Sequence, residues 1–184
     1  MSADDRRSRR QQKTREDIVR AFVVLLLKRN YDEITVADII AGADVGRSTF
    51  YEHFPTKLDL LRSAVAQPFS PLADAVTGES PVLAGWIHHF RENQALGRVL
   101  FVEPTRKALY RTLADLIEAR LPLVSALPPG LLAAQIAAAQ FALLEPWMFG
   151  QTPLTAEAIA EAIMRSSRAL VVAAGGEPEP SLQL

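Results

Sequence analysis

The stretch Val45 to Lys57, VGRSTFYEHFPTK, places hydrogen-bond donors and aromatic rings at helical spacing and carries a proline at 55. Phe50 and Phe54, four residues apart, fall on one face with Val45, while Arg47, Ser48 and Tyr51 fall on the other and Thr49 and His53 flank it. The outer set is rich in hydrogen-bonding groups and poor in acids. An arginine near a helix N-terminus can donate twice to a guanine edge, and a threonine can set its methyl against thymine or bond a phosphate. Tyr51, His53 and Lys57 can reach phosphates. This is the chemistry of double-stranded DNA recognition.

Such a helix works only if other elements hold it. Val36 to about Ala43 reads as a short helix, with a turn at Asp44 and Val45 leading into a second from about Gly46 to Phe54, which Pro55 stops for want of an N–H. Two short helices joined by a tight turn describe a helix-turn-helix, which lays its second helix in the major groove. Asp44 suits the turn because aspartate tolerates the left-handed backbone better than most residues. Thr14, Thr35 and Thr56 are each followed three residues later by aspartate, at 17, 38 and 59, a capping-box pattern that marks three helix starts. Ser80 before Pro81 suggests a fourth.

From Thr14 the first helix is expected to reach about Arg29, with Ile18, Phe22, Leu25 and Leu26 along its apolar face. A fourth helix covers Lys57 to Gln67. Pro68, Ser70, Pro71, Thr77, Gly78, Ser80 and Pro81 then interrupt the chain and give the best boundary. Further helices are read at Trp86 to Val102, Thr105 to Leu121, Leu131 to Phe149 and Thr155 to about Ala174, with Leu127 to Gly130 as a linker. The expected fold is therefore all-α: a flexible basic arm at 1–13, a helix-turn-helix unit with its connecting helix at 14–67, a helical regulatory and dimerisation part at 68–174, and a disordered tail at 175–184.

Composition agrees. The 184 residues carry 20 Lys plus Arg against 21 Asp plus Glu, but the charge is uneven: residues 1–67 hold 12 basic and 10 acidic side chains. Between Arg6 and Arg15 six of ten residues are basic and none is acidic, which suits contact with phosphate. The longest aliphatic and aromatic run, Phe22 to Leu27, is far short of the ~20 residues that cross a bilayer. With no secretory signal pattern and no cysteine, a cytoplasmic location is expected. Neither metal nor cofactor is implied. An enzyme is disfavoured, because there is no cysteine nucleophile, no paired-histidine spacing, no phosphate-cradling glycine loop and no serine in a nucleophile-elbow context.

The segment Thr35 to Lys57, TVADIIAGADVGRSTFYEHFPTK, resembles the DNA-binding segment of the TetR family of bacterial transcriptional regulators. The resemblance rests on Thr35, on Ala43 and Val45 around the turn, on the run Thr49, Phe50, Tyr51, and on His53, Phe54 and Lys57. Departures at Asp44, Gly46 and Ser48 bear on base preference. The resemblance implies base readout by Arg47, Ser48 and Thr49, and backbone contacts by Thr35, Tyr51, His53 and Lys57. It also implies a homodimer on a near-palindromic operator, and a regulatory half that encloses an unidentified small-molecule effector. Candidate effector contacts are Trp86, Phe90, Phe101, Tyr110, Phe141, Trp147 and Phe149. Two late helices present Leu132, Ile136, Ala139, Leu143 and Trp147 on one and Ile159, Ile163, Ser166 and Leu170 on the other, and with small side chains allowing close approach the pair is expected to bury one face against its own domain and to join the second copy as a four-helix bundle. The rival reading is a helical ligand-binding or interaction protein without DNA-binding activity.

Overall fold

The computed structural model of the chain describes residues 3–78, 80–92, 101–103, 105–121 and 126–175. Among these there is no strand. The helices are α1 (Ala3–Leu26), α2 (Val36–Ala43), α3 (Arg47–His53), α4 (Lys57–Ala66), α5 (Ser70–Asp74), α6 (Leu83–Glu92), α7 (Thr105–Glu118), α8 (Pro129–Met148) and α9 (Ala156–Ala174). Single 3₁₀ turns at Tyr31–Glu33 and Ala75–Thr77 join α1 to α2 and extend α5.

Local chemistry sets several boundaries. The Thr35 hydroxyl accepts from the Asp38 N–H, and the Asp38 carboxylate accepts from the Thr35 N–H at 2.9 Å, so both halves of the capping box form. Thr56 and Asp59 cap α4, and Thr155 caps α9 through the Ala158 N–H. Thr35→Ala is expected to cost about 1 kcal/mol, seen as a fall in Tm of about 2–4 °C. A thermal melt that does not move would show that α2 is held by packing alone.

Thr14 behaves otherwise. It lies inside α1 and its hydroxyl donates to the Arg10 carbonyl at 3.0 Å, so the expected flexible arm is corrected to a continuation of the helix. The physical reason is propagation: once Ile18, Phe22 and Leu26 are packed in the core, each further turn adds a hydrogen bond without a new nucleus, and Arg, Gln and Lys are good helix formers. Arg6, Arg7, Arg9, Arg10 and Lys13 are all exposed on this extension.

A second correction concerns residues 68–81. The expected boundary carries α5, with Pro71 in its first turn, where no N–H is needed, and it buries Phe69, Leu72, Ala73, Ala75 and Val76. One hydrophobic cluster therefore runs from Phe22 and Phe50 through Phe69 and Leu72 to Leu109, Ile136 and Ile163. Ser80 does not cap a helix; its hydroxyl donates to the Pro71 carbonyl at 3.0 Å, and α6 begins at Leu83. The expected linker at 127–130 is shortened likewise, because Pro129 opens α8 at a position that requires no donor. The expected helix from Trp86 to Val102 is seen as α6 up to Glu92, and residues 93–100 lie outside the described residues, as does the tail from 176.

α8 is the inner helix of the C-terminal half, packed between α7 and α9. By length and composition it could cross a bilayer, contrary to the expectation from run length, but half of its most apolar window is buried within the fold. Leu132, Ile136, Phe141, Leu144 and Trp147 fill the core from it.

Candidate nucleic-acid interface

The turn between α2 and α3 is made as the sequence suggests: Asp44 is left-handed (φ 52°, ψ 48°), the only positive-φ residue other than glycine among those described, and the Val45 N–H reaches back to the Ile40 carbonyl. Phe50 and Phe54 are buried, and the Phe50 ring meets Tyr51 edge-on at 5.3 Å and Phe54 at 6.3 Å. This anchors one side of a helix of only two turns. Arg47, Ser48 and Tyr51 are exposed on the other side, while Thr49 and His53 are half-buried at its margins. The Arg47 guanidinium lies 5.7 Å from the centre of the Tyr51 ring, which supports the long side chain without occupying its donors.

Three cations near this face have positions that differ from a simple phosphate-contact reading. Lys57 turns inward: its Nζ donates to the Tyr31 carbonyl at 2.7 Å and the Ile34 carbonyl at 2.8 Å, and sits 4.0 Å from the Tyr31 ring centre. An ammonium at a helix start opposes the dipole. Here it is retained because it satisfies the carbonyls at the end of the 3₁₀ turn, and burial draws its pKa below the ordinary lysine range despite the opposing pull of Asp32. Arg15, counted by sequence with the basic arm, is also a strut. Its guanidinium donates to Ser63 Oγ at 2.7 Å and the His53 carbonyl at 3.4 Å, and stacks 4.5 Å from the Phe54 ring. It thereby ties α1 to the end of α3 and to α4, a role that no local pattern could reveal. Arg29 pairs with Asp38 at 3.3 Å. The Thr35 N–H and hydroxyl, which themselves lower the Asp38 pKa, are spent on that cap and not turned outward.

A polar cavity of about 300 Å³ opens between the α1 extension and the end of α3, lined by Ser8, Gln11, Gln12, Arg15, Glu52 and His53. The extension therefore stands beside the helix that carries Arg47.

In the C-terminal half Trp86, Phe90, Phe101, Tyr110 and Phe141 come together with Phe69, which the sequence reading missed. Phe101 and Phe141 are 5.2 Å apart and Trp86 and Phe90 4.4 Å apart. Trp147 stands outside this ring set, its Nε1 donating to the Leu154 carbonyl and Arg91 over its face, and Phe149 is exposed at the end of α8. These two are not brought to a shared site. His88 and His89 are both exposed, and among the described residues no cluster of His, Cys, Asp or Glu could hold a metal.

Residues 18–64 match the family described as bacterial regulatory proteins, tetR family. Over this DNA-binding segment the chain is similar to the TetR family. The HTH-type transcriptional regulator YxbF of Bacillus subtilis is 36% identical over 70 residues, which is 38% of this chain and 18% of that protein. The HTH-type transcriptional repressor KstR of Mycolicibacterium smegmatis is 30% identical over 99 residues, 54% of this chain and 48% of the relative. The chain thus spans less than half the length of these curated relatives. A crystal structure of a TetR transcriptional regulator from Streptococcus agalactiae is 26% identical, covers 88% of this chain and 97% of its own, and superposes with a TM-score of 0.57. As in that TetR neighbour, the arrangement here is an N-terminal helix-turn-helix followed by a helical C-terminal half. The relatives are transcriptional regulators and not enzymes.

Proposed function

We propose that this protein is a homodimeric, sequence-specific transcriptional repressor of the cytoplasm, whose grip on a near-palindromic operator is controlled by a small-molecule effector. The observation that carries the reading is the exposed donor set Arg47, Ser48 and Tyr51 on a helix whose other side is buried through Phe50 and Phe54. Thr49 and His53 flank this set, and Lys57 and Arg15 hold it in place. A helical binding protein without DNA-binding activity has no physical need for that outward face. The test is selection of DNA fragments from a random pool by the purified protein, followed by Arg47→Ala. That variant is expected to lose about 1–3 kcal/mol of discrimination at one base pair. Equal weakening on every sequence would reassign Arg47 to phosphate.

The α1 extension adds affinity without adding sequence readout. A helix is about 10–12 Å across with its side chains, whereas the minor groove is about 6 Å wide, so a helical extension lies along phosphates instead of entering that groove. Deleting Met1 to Arg10 removes four arginines and two aspartates. The expected result is weaker operator binding with a shallower salt dependence, each lost phosphate contact reducing the slope by about 0.9. A slope that stays the same would leave the extension as a solvated helix end.

Dimerisation is proposed through the outer faces of α8 and α9. Leu132, Ile136, Trp147, Ile159 and Ile163 are buried inside the subunit and form the face turned to its own domain. Ala139, Leu143, Ser166 and Leu170 remain half-exposed. A groove between the two helices is lined by Leu143, Ala158, Glu161, Ala162, Arg165, Ser166 and Ala169, with Leu131 and Val172 exposed at 58% and 68%. Small side chains there allow close approach of a second helix pair.

A further inference from the structure

α5 is a single turn that follows α4 in the chain and packs against α6 and α7, and side-chain donors reach it from three directions. Ser80 donates to the Pro71 carbonyl, Arg120 to Ser70 Oγ and Asp74, and Gln140 to the Leu72 carbonyl at 3.0 Å. Gln140 is the innermost of these. It sits on α8 with no exposed surface, and its Nε2 also meets Ser167 Oγ of α9 at 2.9 Å. The Leu72 carbonyl can only accept, so the amide nitrogen must face it and the oxygen is fixed on the other side. That oxygen, Oε1, is buried and has no partner among the described residues. A buried acceptor without a donor is costly and unusual.

We propose that the regulatory half binds a neutral, apolar small molecule that carries a hydrogen-bond donor, and that Gln140 Oε1 is the acceptor that recognises it. The inference rests on the effector-controlled reading above and names the chemistry of the ligand. Apolarity follows from the neighbourhood: Gln140 has no exposed surface and shares its face of α8 with Ile136 and Leu144, one turn away on either side and both buried in the core. Neutrality follows from the buried polar residues described in this half, Ser80, Thr105, Thr112, Gln140 and Ser167: among the described residues none of these is ionisable, so a charged ligand would meet no buried counter-charge there. Consequence follows from connectivity. The same amide that meets the ligand also holds Leu72, six residues beyond the end of α4. A shift at Oε1 thus reaches the segment that leads to α3.

The test uses the full chain and two probes of nearly one shape, phenol and toluene, which differ in the donor. At concentrations several-fold above its dissociation constant, phenol is expected to raise Tm about 2–4 °C more than toluene does. This difference is expected to vanish in Gln140→Met. In NMR spectra of the unsubstituted protein the Gln140 side-chain amide signals are expected to move with phenol and not with toluene, which decides the matter even where Gln140→Met does not fold. Equal Tm shifts with the two probes, a difference that survives Gln140→Met, or amide signals that stay still with phenol would each overturn the inference. Operator affinity in the same samples separates it from the functional reading. Donor-dependent binding at Gln140 with unchanged operator affinity supports the site while refuting control of DNA binding by that molecule.

Discussion

Phe50→Ala is expected to destabilise the protein by about 3–5 kcal/mol, a large share of the roughly 5–15 kcal/mol that holds a typical domain together. Phe50 has no exposed surface, and its ring is held between Tyr51 and Phe54. Truncation therefore removes transfer energy and leaves a cavity that a helix of seven residues cannot close, since Pro55 prevents its extension and so short a helix has no stability of its own. The midpoint of urea unfolding should fall with the slope unchanged, and Tm should drop by roughly 6–20 °C. Tyr51→Ala is the control: Tyr51 is 42% exposed, and its loss should leave stability within about 0.5 kcal/mol apart from the edge-on ring contact, while weakening DNA binding. A cost below about 1.5 kcal/mol for Phe50→Ala would mean that the recognition helix is not seated as described.

With dimerisation as proposed, Leu143→Asp is expected to give a monomer and to lower operator affinity by about 10²–10⁴-fold. The residue is half-exposed at the groove with Ala158, Ala162 and Ala169, so an aspartate there stays solvated in the single subunit but would be desolvated without a partner in the pair. The affinity loss comes from valency. Two reading heads on one body make the second half-site contact intramolecular, an advantage of about 10²–10⁴ that disappears when the subunits part. Light scattering and a gel shift on the selected operator check both halves of the expectation, with circular dichroism to show that the monomer remains helical. Leu170→Asp, one turn from Ser166 on α9, should act alike. A variant that stays dimeric would move the interface to another surface, and a monomeric unsubstituted protein at micromolar concentration would remove it altogether.

The sequence by itself determined the parts of this protein whose causes are local. Thr35 and Thr56 cap because an oxygen three residues before an aspartate meets the orphan N–H of the helix that starts there, and Pro55 stops α3 because it lacks a donor. Asp44 takes the left-handed turn, and Phe50 and Phe54 turn inward by simple periodicity. The helix-turn-helix and its outward Arg47, Ser48 and Tyr51 were legible for that reason. Only the tertiary structure decided what depends on groups far away in the chain. Thr14 looked like a cap as much as Thr35 did, yet the packing of Ile18 and Phe22 carries α1 straight through it. Lys57 and Arg15 looked like free cations until the carbonyls of Tyr31, Ile34 and His53, which no spacing rule connects to them, took their donors. Which side of α8 the subunit itself covers was not legible, because its alanines and leucines leave more than one side apolar and periodicity cannot choose between them. Gln140 gave no signal at all, since its meaning comes from Leu72 and Ser167, 68 and 27 residues distant, and from the acceptor that this contact leaves without a donor.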